Sequence, residues 1–252
     1  MSTKQIQIDA INLNLEGVTD NDPYFSELAD DFGGDYYRLC SKVFKDNFIS
    51  LDIGANIGVT SLIASRLQTK GIVHAFEPAQ SVYSVLKRNI ERNKASNVVP
   101  HNIALSDREG SAKFIDASAY GHVSETEGHD VQLTTVDNIV SSLDLPHVDF
   151  IKVDVEGHEP LVLKGAANTI LRHSPLIYME FNSWCLTAYG KTNSLEFAES
   201  ILRDFAFVGI ATSGGIRKLN QNGAFDFAKE NMVLHGCVDD LLITNDPQKF
   251  GL

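Results

Sequence analysis

Residues 48–58 read FISLDIGANIG, and the reading of this stretch decides the fold. An apolar run ends at Asp52. Gly54 and Gly58 follow, and then a stretch that reads as a helix over 59–67. A short buried strand, a glycine turn and a helix open a strand–helix–strand crossover unit. In open sheets built of such units, ligands bind beyond the carboxyl ends of the strands. Gly54 lets the backbone take a positive φ and pass close to a ligand. Gly58 stands at the start of the helix, where free N–H groups favour partial negative charge.

The same alternation continues on the C-terminal side. Strands are predicted over 72–77, 98–105, 111–114, 150–155 and 176–181, and helices over 81–93, 136–142, 159–171 and 194–204. Strand-like runs at 205–211, 216–219 and 240–244 close the chain without long helices between them. The expected architecture is α/β and Rossmann-like, a central, mostly parallel sheet of about seven strands with an antiparallel edge and helices on both faces. Residues 115–130 are polar and glycine-punctuated, so they read as a long loop. Residues 1–47 read as a helical extension, with one or two short helices broken at Gly33 and Gly34, and 48–252 as the main domain.

Acidic groups number 33 against 21 basic ones, a net charge of −12. Such a balance disfavours phosphate backbones, and no Lys/Arg run offsets it, so nucleic acid is not an expected partner. Cys40, Cys185 and Cys237 are far apart and lack a CxxC spacing, which argues against a disulfide framework or a structural zinc site. No apolar stretch approaches the ~20 residues of a membrane span. The first residues lack the basic start and apolar block of a signal peptide, so a cytoplasmic protein is expected. The sequence carries no signal of oligomeric state.

The glycine spacing is Asp-x-Gly-x-x-x-Gly rather than Gly-x-Gly-x-x-Gly. Asp52 would repel a pyrophosphate, whereas a sulfonium cation with an amino-acid tail needs an acceptor at that turn. The pattern resembles the first motif of class I S-adenosylmethionine-dependent methyltransferases. The second strand should end in an acid for the ribose hydroxyls, and HAFEP, 74–78, ends at Glu77, 77 − 58 = 19 positions after the glycine. After the third strand, NIALSD offers Ala104 and Leu105 to an adenine face and Ser106 and Asp107 to its edge, unless this is only a solvent-facing turn. Asp52, Gly54, Asn56, Gly58 and Glu77 complete the expected cofactor set.

The fourth strand ends in DFIKVDVEGHEP, 149–160. Side chains alternate along a strand, so Asp154 is expected at its end, over the methyl donor, with Glu156 and His158 in the turn. Asp154 is the expected general base or hydroxyl orienter, with Glu156, His158 and Glu180 as its catalytic neighbours. Lys152, two residues earlier, reads equally as a structural ion pair. Glu180 and Asn182 close the fifth strand on the same side, and with Asp154 they make an oxygen-rich set that suits magnesium or substrate hydroxyls alike. His122 and His129 in the long loop are candidate acceptor contacts or plain surface groups. Trp184 and Tyr189 are an apolar wall for the acceptor or simply core.

Taken together, FISLDIGANIG, HAFEP, NIALSD and IKVDVEGHEPLVLKGA, 151–166, resemble the FkbM-type methyltransferase family over about 48–182. The resemblance implies methyl transfer from S-adenosylmethionine to a hydroxyl of a sugar, glycan, polyketide or other small acceptor, and leaves the acceptor open. Two rival readings are a non-catalytic methyltransferase-like binding module and a nicotinamide-dependent oxidoreductase. The intact Asp154 and Glu156 oppose the first, and the missing Gly-x-Gly-x-x-Gly opposes the second.

Overall fold

The computed structural model describes residues 2–19, 25–26, 28–116, 121–124 and 126–252. Strand β3 (Ile49–Ile53) is buried along its whole length and lies inside the main sheet. Beside it run β4 (Ile72–Phe76) and β5 (Val98–His101) on one side, and β10 (Phe150–Val153) and β11 (Leu176–Asn182) on the other, all parallel. Their carboxyl ends therefore share one edge of the sheet, and the site forms there. Helices α2 (Val59–Leu67) and α3 (Gln80–Arg92) are the crossovers that keep the strands parallel.

The main sheet has eight strands, in the order β13-β12-β14-β11-β10-β3-β4-β5. Strand β14 (Val238–Thr244) runs antiparallel to both β11 and β12 (Phe207–Thr212), and β13 (Gly215–Lys218) pairs with β12 as the edge. The expected antiparallel edge is present as β14, β12 and β13, with the reversed strand β14 inside the sheet. Its Leu241, Leu242 and Ile243 are fully buried, apolar toward both faces, which an edge position would not satisfy. Helix α8 (Ser194–Asp204) precedes β12. Helix α9 (Ala224–Leu234), which the sequence reading lacked, returns the chain to β14.

A second sheet has the order β6-β9-β7-β8. Its strands are β6 (Ala104–Leu105), β7 (Gly110–Ile115), β8 (His122–Ser124) and β9 (His129–Thr134). The strand expected over 98–105 is divided between the two sheets. Asn102 causes the break, because its side-chain amide donates to the carbonyls of Glu77 and Pro78, both at 2.9 Å. The expected loop 115–130 contains β8 and the start of β9, while positions 117–120 and 125 of it lie outside the described residues. Helix α4 (Val136–Ser142) follows β9. The helix expected over 159–171 is broken at Ala166 into α5 (Glu159–Gly165) and α6 (Ala167–His173).

Residues 1–47 are not simply helical. Strands β1 (Thr3–Ile8) and β2 (Ile11–Glu16) form an antiparallel hairpin, and α1 (Gly34–Val43) begins after Gly33 as read. Ile6, Ile8, Leu13 and Leu15 are fully buried while Gln5, Gln7, Asn12 and Asn14 face solvent, a period of two that marks a strand. The buried face joins the core cluster that includes Leu62, Ile63 and Ile90 from α2 and α3.

Asn89 of α3 and Asn93, its C-cap, dock the hairpin. Asn89 accepts from the Glu16 N–H at 2.7 Å and donates to the Glu16 and Ile57 carbonyls at 3.1 and 2.9 Å. Asn93, one turn on, accepts from the Asn14 N–H at 2.9 Å and donates to its carbonyl at 2.8 Å. The pair stands in for a neighbouring strand. Asn89→Leu would leave three buried backbone groups without partners, so a loss of about 2–4 kcal/mol is expected. A lowered urea midpoint reads it, and an unchanged midpoint would disprove this docking.

Candidate active site

A cavity of about 280 Å³ opens at the carboxyl edge of the main sheet. Its floor is the 54–57 turn after β3, Glu77 and Pro78 after β4, and Ile103, Ala104 and Leu105 around β6. Lys152, Asp154, Val155, Glu156, His158 and Glu180 form the opposite wall, while Phe114, Gly121 and Val123 of the second sheet cover it.

Gly54 has φ +80°, and a Cβ there would lie 1.8 Å from the Asp154 carbonyl oxygen. The turns after β3 and β10 therefore touch through a position that only glycine fills. Asn56, at φ +49°, accepts from the Ile57 N–H at 2.7 Å with its side chain. Gly58 caps α2 at φ +100° and does not line the cavity. Neither does Asp52, which corrects the expectation of a direct ligand contact. Its Oδ2 accepts from Thr60 and Ser61 at 2.7 and 2.5 Å, and its Oδ1 faces Lys152 Nζ at 3.6 Å. Asp52 pins the first turn of α2 to the buried ammonium from beneath.

Glu77 lines the cavity and is nearly enclosed. Burial pushes its carboxyl up to about 7, although Ala79 and Asn56 donate backbone N–H groups to it at 2.8 and 3.0 Å. Ala104 and Leu105 line the cavity as well. Ser106 and Asp107 do not line the cavity. Ser106 shares a 2.9 Å hydrogen bond with His158 Nε2, and Asp107 is ion-paired with Lys164 at 2.8 Å. The close packing of Gly165 on the Ser106 carbonyl turns this segment toward α5 and away from the cavity.

Donor atoms of Asp154, Glu156 and Glu180 all lie within 4.8 Å of one another. Asp154 pairs with Lys152 at 3.2 Å, and Lys152 also donates to the Gly54 carbonyl at 2.9 Å. Glu156 stands at φ +52° and accepts from the Cys185 thiol at 3.0 Å. Burial pushes it up to about 7. Glu180 is pushed up to about 10 by burial and by the Asp154 and Glu156 carboxyls. Burial holds the His158 imidazole down to about 4, so it is neutral at pH 7. Asn182, expected beside Asp154 and Glu180, does not line the cavity: its side chain accepts from the Cys185 N–H at 3.0 Å and caps α7 (Ser183–Ala188).

Glu159 escaped the sequence reading. It is fully buried and accepts from the Val155 and Gly157 N–H groups at 3.0 and 3.3 Å, clamping the turn that carries Glu156. In sequence it looks like any acid in a first helical turn. Phe114 and Val123 were also missed as lining residues, because they belong to the second sheet. His122 and His129 lie in strands rather than a loop, and His122 stacks on Tyr189.

These proton-holding carboxyls set a pH dependence. The unfolded chain releases their protons near the model-compound value of 4.5, whereas the folded chain keeps them to about 7 at Glu77, Glu156 and Glu159 and about 10 at Glu180. The stability they contribute is complete below the unfolded value and lost as pH rises through the folded ones. Melting temperature is expected to fall from about pH 4.5 to about pH 7, and more gently on to about pH 10, with the part above pH 7 reduced in Glu180→Gln. Parallel slopes in the two proteins would remove Glu180 as the cause.

Residues 52–208 match the methyltransferase FkbM domain. The hexuronic acid methyltransferase AglP of Haloferax volcanii is 34% identical over 140 residues, covering 54% of this chain and 57% of AglP. Methyltransferase 1 of Beauveria bassiana is 28% identical over 148 residues, covering 48% of this chain and 59% of its own. The chain thus spans less than two thirds of the length of these curated relatives. The O-methyltransferase TomG from Streptomyces achromogenes, solved in complex with S-adenosylmethionine, shares the fold at a TM-score of 0.50 and 12% identity, over 90% of this chain and 87% of TomG. With its family domain matched over most of its length, the chain belongs to the methyltransferase FkbM family.

Proposed function

We propose that the protein transfers a methyl group from S-adenosylmethionine to a hydroxyl of a sugar, glycan or similar small natural-product acceptor. The observation that carries the reading is one cavity with Glu77 at one end and the Asp154, Glu156 and Glu180 carboxyls at the other. AglP, named for a hexuronic acid, supports a sugar acceptor. The boundary at residue 48 belongs to the same proposal, with 48–252 as the catalytic domain and 1–47 as its extension.

The lining residues fit the cofactor. Glu77 is a buried carboxyl whose charged form needs donors beyond its two backbone N–H groups, and ribose hydroxyls supply them. Ile103, Ala104 and Leu105 suit the adenine face, and the 54–57 turn suits the amino-acid tail. When bound, the cofactor supplies an electrophilic methyl group on a sulfonium. The chain's own residues align the acceptor and take its proton. Asp154 has Lys152 on Oδ2, which leaves Oδ1 to accept the hydroxyl proton as the oxygen attacks. Glu156 and Glu180 hold protons around neutrality and donate hydrogen bonds to the acceptor's other oxygens. A pure binding module would have no use for three crowded carboxyls at the donor end.

Transfer of a labelled methyl group to crude glycan and small-molecule pools tests the function directly. Calorimetry should show binding of S-adenosylmethionine and its demethylated product but not NAD. Glu77→Ala should weaken that binding by about 1.5–3 kcal/mol, the loss of hydrogen bonds to a charged group. Tight NAD binding without a response to the sulfonium compound would overturn the assignment. Asp154→Asn is expected to cost about 10²-fold or more in kcat with a much smaller change in cofactor affinity. A folded variant turning over near the wild-type rate would transfer the base role to another member of the cluster. Turnover should survive a chelator, because the cluster serves hydroxyls. Loss of turnover that magnesium restores would reassign it to a metal.

A further inference from the structure

The edge that carries the cavity also carries an aromatic cluster that the proposed chemistry does not use. Trp184 follows Glu180 by four positions, in α7, at the carboxyl end of β11. Its ring is 55% exposed. It stands edge-on to Tyr189, with centroids 5.1 Å apart and planes at 86°. Tyr189 in turn stacks face to face on His122, at 3.6 Å and 12°. Three aromatic rings, from α7, the residue that follows it and β8, pack on one another while Trp184 stays open to solvent.

Two glycine contacts locate this shelf. A Cβ on Gly157 would lie 2.4 Å from the Cys185 carbonyl, and one on Gly190 would lie 2.2 Å from the Gly157 carbonyl. The segment bearing Tyr189 is thus in backbone contact with the turn bearing Glu156. On the other side, Gly121 and Val123, the chain neighbours of His122, line the cavity. The three rings stand outside the cavity lining, and the shelf lies beside the turn that bears Glu156.

A pyranose has an apolar C–H face and a rim of hydroxyls. A rigid aromatic surface takes the first, and carboxyl oxygens take the second. Resting on the methyl-transfer reading, we propose that Trp184, Tyr189 and His122 form an acceptor subsite for the C–H face of a pyranose, whose hydroxyl rim then reaches the carboxyl cluster beside it.

Trp184 is the chain's sole tryptophan, so its fluorescence reports on this subsite alone. The full chain, saturated with S-adenosylhomocysteine, is titrated with the methyl glycosides of glucose, galactose and mannose, and with methyl glucuronide. A saturable change in emission is expected with at least one of the four glycosides. Tyr189→Leu should weaken that sugar at least fivefold, whereas Tyr189→Phe should leave its affinity nearly unchanged. Both variants are compared by melting curve first, and a second titration of that sugar by calorimetry serves if either melts early. Silence of Trp184 with all four sugars while S-adenosylhomocysteine still binds would overturn the subsite and leave the methyl-transfer reading intact. Failure of S-adenosylhomocysteine to bind would overturn the underlying reading instead.

Discussion

Lys152 of β10 is the register partner of Asp52 in β3, and its almost fully buried ammonium lies between two strand ends. It is 3.6 Å from Asp52, 3.2 Å from Asp154, and donates to the Gly54 carbonyl at 2.9 Å. An ammonium taken out of water is tolerated only when surrounded by acceptors. That requirement holds both turns in place at once. Through Asp52 it reaches Thr60 and Ser61, and so the start of α2. Through the Gly54 carbonyl and Asp154 it sets the separation of the two cavity walls.

The turns themselves are bent into rarely used backbone. Asn56 and Glu156 both have positive φ without being glycine, at +49° and +52°. Such residues persist only where neighbours hold them. Asn56 is held by its own bond to the Ile57 N–H and by Glu77, which accepts from the Asn56 N–H. Glu156 is held from behind by Glu159 and in front by Cys185. The consequence is chemical, because it gathers carboxyls that mutually raise their affinity for protons. Groups poised between charged and neutral forms near pH 7 can accept or donate with little penalty.

Two accessory layers shape what the strand ends begin. The second sheet lays Phe114 and Val123 over the cavity, reducing its contact with water and strengthening its internal electrostatics. The N-terminal hairpin packs against α3, the helix that follows Glu77, and Glu16 at its end pairs with Arg88 and Arg92 at 2.8 and 2.9 Å. Neither layer is part of the repeating strand–helix pattern, yet each stiffens one side of the site.

Local sequence was sufficient wherever chemistry and periodicity coincide within a few residues. FISLDIGANIG marked a strand, a turn and a helix because burial on both faces, a positive φ and a helix start each demand particular residue types. HAFEP and DVEGHE marked two further strand ends for the same reason, and Glu77, Asp154, Glu156 and Glu180 do line the cavity. Tertiary structure alone decided which polar groups face it. Asp52 and Asn182 sit at strand ends as plausibly as Glu77 does, but one is consumed by Lys152 and a helix start and the other by a helix cap. The place of β14 inside the sheet, the division of 98–105 between two sheets, and the meeting of Trp184, Tyr189 and His122 were equally illegible. Each depends on partners far away in sequence, and a hydrogen-bonding side chain carries no mark of which distant partner will claim it.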